Sequence, residues 1–260
     1  MAEDALLEVR DLHVEVGGRE ILSGVDMKIG PGETHVLFGP NGSGKTTLMS
    51  AIMGFEGFRV TRGKIIFQGE DITSLSVNER AKRGLGIAFQ RPPAVKGVKL
   101  RQLAELCAKR DGDLIEEYAR KLNLSEHLDR EINVGFSGGE IKRAEILQLI
   151  LQDPVMVFLD EPESGVDLEN VILVGRAINH LLGRRREPER GKPLKELHRE
   201  RKSGLIITHT GHILEYVDAD IGHVLVGGKI VCKANPREIL HTIREYGYEE
   251  CYRCVGGGKV

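Results

Sequence analysis

A glycine-rich loop constrains this chain more than any other part of its sequence. Residues 39–46 fit the pattern G-x-x-x-x-G-K-[ST], in which glycines let successive backbone N–H groups point inward around phosphates. The apolar run THVLF (34–38) precedes the loop, and KTTLMSAIMG follows it. We therefore predict a buried strand before the loop and a helix after it, with the positive end of that helix facing the phosphates.

The residue types in this loop predict Mg²⁺ and ATP as the cofactors. We expect the Lys45 ammonium to reach the β- and γ-phosphates and the Thr46 hydroxyl to ligate Mg²⁺. The predicted ATP-binding residues of this segment are Gly39, Pro40, Asn41, Gly42, Ser43, Gly44, Lys45, Thr46 and Thr47.

Two acidic residues follow a second apolar run, VMVFL (155–159). Asp160 is predicted to lie at the carboxyl edge of the sheet beside the loop, where it can hold Mg²⁺ through water. Glu161 can then polarise the attacking water as a general base. An acidic pair after an apolar run more commonly caps a helix, but the phosphate-binding loop at this distance favours the catalytic interpretation.

Ser137, Gly138 and Gly139 form a third motif at the start of the helical segment IKRAEILQLILQ. The positive end of a helix and its free N–H groups favour an anion, so we predict a second phosphate contact here. Because Glu140 lies three residues after Ser137, an ordinary capping box is the alternative. Two phosphate sites but one phosphate-binding loop indicate a pocket that a neighbouring subunit completes.

Together these motifs resemble the ATP-binding-cassette ATPases over nearly the whole chain. Further matching positions are Gln90, the Ser-Gly-Val-Asp run 164–167 and His209. The resemblance implies that two such domains meet head to tail and sandwich two ATP molecules. It also implies that Gln90 contacts Mg²⁺ and senses the attacking water. Asp167 would communicate across the dimer, and His209 would contact the γ-phosphate, so Glu161, Gln90 and His209 are the expected catalytic residues.

Several stretches resemble the Suf-type ATPases of iron–sulfur cluster assembly (the SufC family) more than transporter ATPases. They are His35 two residues after Gly-Glu, the segment GFSGGEIKRAEILQ, the run THTGHILEYVDADIGHVLVGGKIV and the pair Gly247-Tyr248. Residues 160–167 are closer to the general cassette pattern. The resemblance implies a SufB/SufD-type scaffold partner, an ATP-dependent homodimer and a cytoplasmic location.

The same resemblance suggests a resting state of the site. By position, we expect Lys142 and Glu163 to form a contact network that holds Glu161 away from water.

Hydrophobic periodicity predicts the remaining elements. The first thirty residues alternate as a β-hairpin around Gly17-Gly18, and residues 63–72 form another antiparallel piece. Residues 91–152 have helical spacing. The runs 155–159 and 204–208 are typical of parallel core strands, joined by a helix over 171–182.

The predicted fold class is therefore α/β, a single cassette ATPase domain over residues 1–260. It has a P-loop NTPase core with a mostly parallel sheet, an N-terminal antiparallel β subdomain and an inserted helical subdomain over about 91–152.

Composition excludes several classes of function. The formal net charge of −2 gives no argument for binding nucleic acid or an anionic membrane. No apolar stretch approaches the roughly 20 residues that span a bilayer, and the N-terminus lacks the apolar region of a signal peptide. We expect an intracellular protein that meets a membrane only through a partner.

Two segments lie outside the motif pattern. The charged insertion over about 183–203 carries nine Lys/Arg against four Asp/Glu and is interpreted as a solvated surface segment, with a docking surface for an acidic partner as the alternative. Cys251 and Cys254 form a C-x-x-C near the end of the chain, which fits two reduced thiols, half of a metal or cluster site, or a redox disulfide.

Two alternative functions share parts of this pattern. The energising subunit of a membrane transporter carries every catalytic motif and differs in what docks at the helical lobe around Gln90. A DNA-linked cassette protein would carry a long coiled coil or a basic face, and the sequence contains no sustained heptads.

Overall fold

The computed structural model describes residues 5–108, 113–184 and 201–248. Cys251 and Cys254, and residues 185–200 of the charged insertion, lie outside these ranges. Within them, no helix is both long and apolar enough to cross a membrane.

The described ranges contain twelve strands and seven α-helices. The strands are β1 (Leu7–Val16), β2 (Arg19–Ile29), β3 (Thr34–Phe38), β4 (Arg59–Phe67), β5 (Glu70–Asp71), β6 (Leu85–Ala88), β7 (Val95–Lys99), β8 (Glu131–Ile132), β9 (Met156–Asp160), β10 (Ser203–Ile207), β11 (Ile221–Val226) and β12 (Lys229–Ala234). The helices are α1 (Lys45–Met53), α2 (Val77–Lys82), α3 (Leu100–Cys107), α4 (Asp113–Lys121), α5 (Gly138–Gln152), α6 (Leu168–Leu181) and α7 (Pro236–Tyr246).

The central sheet has six strands in the order β12-β11-β3-β10-β9-β6. Its pairs are parallel except for β11 with β12, so the predicted mostly parallel sheet is confirmed. The predicted strands 34–38, 155–159 and 204–208 correspond to β3, β9 and β10. The crossover helix begins three residues earlier than predicted, because the Asp167 side chain caps α6 by accepting a hydrogen bond from the backbone N–H of Asn170.

The N-terminal segment forms a separate antiparallel sheet in the order β2-β1-β4-β5. Gly17 and Gly18 both have positive φ in the turn between β1 and β2, as a tight hairpin requires. The predicted antiparallel subdomain is therefore present.

The predicted helical region contains α3, α4 and α5, and α5 spans the residues expected for it. It also contains a two-stranded ribbon, β7 paired with β8, that the sequence pattern did not predict. Strand β8 has only two residues, which is too short for an alternation to be recognised.

Two hydrophobic cores lie on opposite faces of the central sheet. Leu37 and Phe158 face the antiparallel sheet and α1, whereas Val36, Val157 and Leu159 face the other helices. Successive side chains of a strand point to opposite faces. Because both faces are covered, these strands have continuous apolar runs rather than alternation.

Two buried histidines join neighbouring strands of this sheet. His35 on β3 and His223 on β11 are 0% and 2% exposed. Nδ1 of His35 lies 2.9 Å from Nε2 of His223, and Nε2 of His35 lies 3.0 Å from a Glu33 oxygen. Burial lowers the pKa of His223 to about 3 and lowers the pKa of His35 as well.

We expect these histidines to destabilise the protein in acid. A histidine with a depressed folded-state pKa stays neutral in the fold while the unfolded chain takes up a proton below pH ~6.5. Each such group lowers the free energy of unfolding by about 1.4 kcal/mol per pH unit between its two pKa values. Urea unfolding of wild type and His223→Gln at pH 7, 6 and 5 measures the difference. Wild type should lose stability faster as the pH falls, and parallel pH profiles would contradict the expectation.

Candidate functional site

The glycine-rich loop connects β3 to α1, as predicted. Gly42 and Gly44 have φ of 77° and 105°, which L-residues with a side chain rarely adopt. A Cβ on Gly39 would lie 2.3 Å from the carbonyl oxygen of Leu225, so this glycine is required by packing against β11. The result is a compact turn that delivers the loop to the N-terminus of α1.

Lys45 is folded into the loop that precedes it. Its side chain is 6% exposed, and the ammonium donates to the carbonyl oxygens of Gly39 at 2.7 Å and Pro40 at 3.0 Å. Burial lowers its pKa, and the carboxylates of Glu161 and Asp160 oppose that shift. A cation is thus held at the mouth of the loop, where phosphate charge would be neutralised.

Thr46 and Asp160 meet between α1 and the end of β9. The Thr46 hydroxyl lies 3.5 Å from Oδ2 of Asp160. Burial, and next the neighbouring Glu161, raise the pKa of Asp160 to about 6, because the carboxylate lacks a sufficient counter-charge. A hydroxyl and a carboxylate are the hard oxygen donors that Mg²⁺ takes. The pair therefore fits the metal expected from the sequence.

Glu161 begins the loop after β9 in a left-handed backbone conformation with φ of 46°. Such a conformation costs about 1–3 kcal/mol in a residue other than glycine. The backbone N–H of Glu161 donates to the Ile207 carbonyl at 2.9 Å. On its carboxylate, Gln90 Nε2 donates to Oε2 at 2.5 Å, and His209 Nδ1 lies 3.0 Å from Oε1. Three separated parts of the chain thus meet at one carboxylate.

The order of strands explains this meeting. β10 lies between β3 and β9, with Ile207 paired to Leu37 on one side and Asp160 on the other. Parallel strands place their carboxyl ends at the same edge of a sheet, and ligands bind there in open α/β folds. Asp160 ends β9, and the glycine-rich loop, Glu161 and His209 follow β3, β9 and β10.

The Ser137 motif lies at a different place. The Ser137 side chain accepts from the Glu140 N–H, and a Glu140 oxygen accepts from the Ser137 N–H, so the capping box is present. A Cβ on Gly138 would lie 1.9 Å from the Gly165 carbonyl oxygen, which packs this loop against the 164–167 run. Among the described hydrogen bonds, none joins the Ser137 side chain to the glycine-rich loop.

Asp167 is likewise not hydrogen-bonded to the glycine-rich loop among the described residues. Its carboxylate accepts from the N–H and from the side-chain Nδ2 of Asn170, at 3.0 and 2.7 Å. Both residues 137 and 167 are exposed. The structure therefore gathers most of the predicted site at one sheet edge and leaves Ser137 and Asp167 exposed elsewhere, with Gly138 half-buried and Gly139 buried beside them.

The expected contact between Lys142 and Glu163 is not the one that forms. The Lys142 ammonium donates to the carbonyl oxygens of Phe89 at 2.5 Å and Gln90 at 2.9 Å. Glu163 accepts instead from the hydroxyls of Thr208 and Thr210. The hydrogen bonds of Lys142 therefore connect it to Glu161 through Gln90, whose carbonyl group accepts from Lys142 and whose side chain contacts the Glu161 carboxylate.

Two connections in this region were missed by sequence reasoning. Glu163 binds the two threonines that flank His209, and Glu145 on α5 accepts from the Phe89 N–H at 2.8 Å. The available signal was a set of charged residues inside α5, a helix whose other side chains are mostly apolar. Charged residues at buried positions are rarely left without a partner.

Comparison with known proteins shows which proteins this chain is similar to. A family model described as "ABC transporter" matches residues 22–164. The chain is 36% identical to the Escherichia coli protein "Probable ATP-dependent transporter SufC", covering 94% of this chain and 97% of that protein. It is 37% identical to a Streptococcus pyogenes "Probable ABC transporter ATP-binding protein", covering 87% of this chain and 88% of that protein.

A solved structure has the same fold. A nucleotide-free ATP-binding cassette from an ABC transporter superposes with a TM-score of 0.75 at 24% sequence identity, covering 98% of this chain and 100% of that one.

Replacing Glu161 by Gln tests its predicted role as general base. The amide keeps the shape of the side chain but cannot take a proton, so we expect ATP to bind and turnover to fall by about 10²- to 10⁴-fold. Phosphate release and binding of a fluorescent ATP analogue measure the two steps. Glu238→Gln, an exposed change on α7, serves as the matched control. Hydrolysis at the wild-type rate in Glu161→Gln would exclude Glu161 as the base.

Proposed function

The chain belongs to the ABC transporter family of ATPases, and on that premise we propose that it drives a soluble iron–sulfur cluster assembly complex in the cytoplasm. It binds and hydrolyses ATP with Mg²⁺, as this family does. In the proposal, ATP draws two copies together head to tail, and hydrolysis lets them separate. That movement remodels an attached SufB/SufD-type scaffold protein. The 36% sequence identity with the Escherichia coli SufC protein, over nearly the full length of both chains, supports the assignment.

The chemistry proposed for the site is positioning and electrostatics around a phosphoryl group. The backbone N–H groups of residues 41–47 and the Lys45 ammonium bind the phosphates. Thr46 and Asp160 would hold Mg²⁺, Asp160 through a water molecule, and Gln90 would also contact it. Mg²⁺, when bound, neutralises charge that develops on the phosphate oxygens.

Glu161 is proposed to accept the proton of the attacking water. For this, the contacts that Gln90 and His209 make with its carboxylate must open or be shared with the water. His209 then becomes available to the γ-phosphate. The structure therefore corresponds, in this proposal, to a resting state in which the Glu161 carboxylate is already bonded to Gln90 and His209.

The observation that carries the two-subunit mechanism is that Ser137 is exposed and that, among the described hydrogen bonds, it makes none to the glycine-rich loop. Ser137 and Asp167 are exposed, and nearby Leu168 is 73% exposed. An anion-binding helix start on an outer surface fits a pocket completed from a second copy of the chain. Cassette ATPases of this family dimerise in general, which supports the same arrangement.

Mixing two inactive variants tests this shared site. Lys45→Ala removes the phosphate cation, and Ser137→Arg blocks the contributed motif, so each variant alone should lose activity. In a mixed dimer one of the two sites keeps both Lys45 and Ser137. We expect the equimolar mixture to recover up to about a quarter of the wild-type ATPase rate, since half the random pairs are mixed and each has one intact site. A mixture as inactive as its components would contradict a shared site.

The partner is tested by purifying a tagged copy of the chain from its native cells, with soluble and membrane fractions compared by mass spectrometry. We expect a soluble scaffold protein that carries iron and sulfide. Copurification with a multi-span permease would instead support the second candidate, the energising subunit of a membrane transporter, which the Streptococcus pyogenes relative favours by name.

A further inference from the structure

A cavity of about 260 Å³ lies between the helices α4, α5 and α6. Four of its described lining residues are apolar, and the other five are one tyrosine and four side chains that carry or can take positive charge. The latter five are Tyr118, Lys121, Arg143, Arg176 and His180. Among the described lining residues there is no carboxylate, although the chain as a whole has a formal net charge of −2. A concave place lined by one sign of charge attracts the opposite sign.

Arg143 supplies the buried part of this charge. The residue is 6% exposed, and its Nε and Nη1 donate to the carbonyl oxygens of Gly139 at 3.2 Å and Leu122 at 2.7 Å. No described hydrogen bond uses its Nη2. Burial lowers the pKa of this guanidinium, and the carboxylates of Glu140 and Asp167 only partly oppose that shift. A buried cation held by carbonyl groups is incompletely neutralised, so an anion in the cavity would stabilise it.

Arg176 supplies the accessible part of the charge. It is exposed on α6, and within the described part of the chain its guanidinium takes part in no hydrogen bond or ion pair. Lys121, by contrast, pairs with Glu117 on its own helix. The two arginines are therefore the cations left for a ligand. A guanidinium binds phosphate or carboxylate oxygens through two parallel hydrogen bonds.

The cavity also offers apolar and aromatic surface. Leu173 and Ile150 line it, and the rings of Tyr118 and His180 lie beside each other with their centroids 5.4 Å apart. A flat apolar group can pack against such rings and aliphatic side chains. Sites for drug-sized ligands measure about 300–1,000 Å³, so this cavity suits a smaller molecule.

We propose that the cavity binds a small phosphate monoester with a flat apolar body. The phosphate lies between Arg143 and Arg176, and the body packs against Leu173 and the Tyr118 ring. A phosphate monoester carries a charge of about −1.5 to −2 at neutral pH, which matches two guanidinium groups better than the single charge of a carboxylate. The cavity shares no lining residue with the glycine-rich loop, and the proposal does not depend on the scaffold partner.

The position of the cavity gives its ligand a structural effect. The ligand contacts α4 of the inserted helical region and α6 of the core on either side of α5. Arg143 also donates to the carbonyl group of Gly139, in the helix start that is proposed to meet a second copy. Binding stabilises the arrangement that it selects, so occupancy favours the described packing of α4 and α6 around α5.

Histidine NMR of the full chain tests the site directly. The protein is labelled with isotope-enriched histidine, and the resonances of His180 and His209 are assigned from their loss in His180→Gln and His209→Gln. Phenyl phosphate, inorganic phosphate and benzoate are then titrated at constant pH. We expect the His180 resonance to shift with phenyl phosphate. Inorganic phosphate should bind about 10-fold more weakly because it lacks the ring, and benzoate should also bind more weakly than phenyl phosphate.

Three variants separate the charged and apolar contributions. Arg176→Gln should weaken phenyl phosphate binding about 10-fold, because it removes a charge-assisted hydrogen bond. Arg120→Gln removes an exposed arginine of α4 that is not among the lining residues, and this matched control should stay within about two-fold. Leu173→Asn should weaken binding of phenyl phosphate and leave that of inorganic phosphate within about two-fold.

Several results would overturn the proposal. One is a His180 resonance that does not move with phenyl phosphate, and another is equal binding by Arg176→Gln and Arg120→Gln. A shift of His209 without His180 would place the probe at the sheet edge instead of the cavity. Equal affinity for phenyl phosphate and inorganic phosphate, or tighter binding of benzoate, would contradict the proposed class of ligand.

Discussion

The central sheet must be buried on both faces, and the rest of the structure follows from that constraint. Val36 and Val157 pack under the helices while Leu37 and Phe158 pack under the antiparallel sheet. A sheet that is covered on both faces leaves only the ends of its strands accessible. In a parallel sheet, the carboxyl ends of all strands lie at the same edge. The glycine-rich loop, Asp160, Glu161 and His209 are therefore adjacent at one edge, although almost 170 residues separate the first from the last.

Charged side chains are buried close together at this edge of the sheet, and the carboxylates outnumber the lysine beside them. Lys45, Asp160 and Glu161 are all less than 10% exposed, and burial, followed by the neighbouring Glu161 carboxylate, raises the pKa of Asp160 to about 6. Glu161 also holds an unfavourable backbone conformation. Its contacts with Ile207, Gln90 and His209 maintain that conformation. Metal and phosphate ions are the complement that such a site accepts.

Charged residues at unusual positions connect this edge to other surfaces. Glu163 binds the threonines on either side of His209, so the loop after β9 and the loop after β10 form one unit. Lys142 and Glu145 hold the backbone around Phe89 from α5, and α5 begins at the exposed Ser137 motif. One helix thus joins the surface proposed to meet a second copy to the backbone around Phe89 and Gln90.

The sequence by itself determined the elements and motifs that depend on neighbouring residues. The strand, loop and helix around Lys45, the helix α5 and the strands β9 and β10 were all predicted, because apolar periodicity and glycine placement are local properties. The contact between His35 and His223, the binding of Glu163 to Thr208 and Thr210, and the hydrogen bond from the Phe89 N–H to Glu145 were decided only by the tertiary structure. Each joins side chains that are distant in the chain, and their distance in space depends on strand order and helix packing rather than on any spacing that a sequence displays.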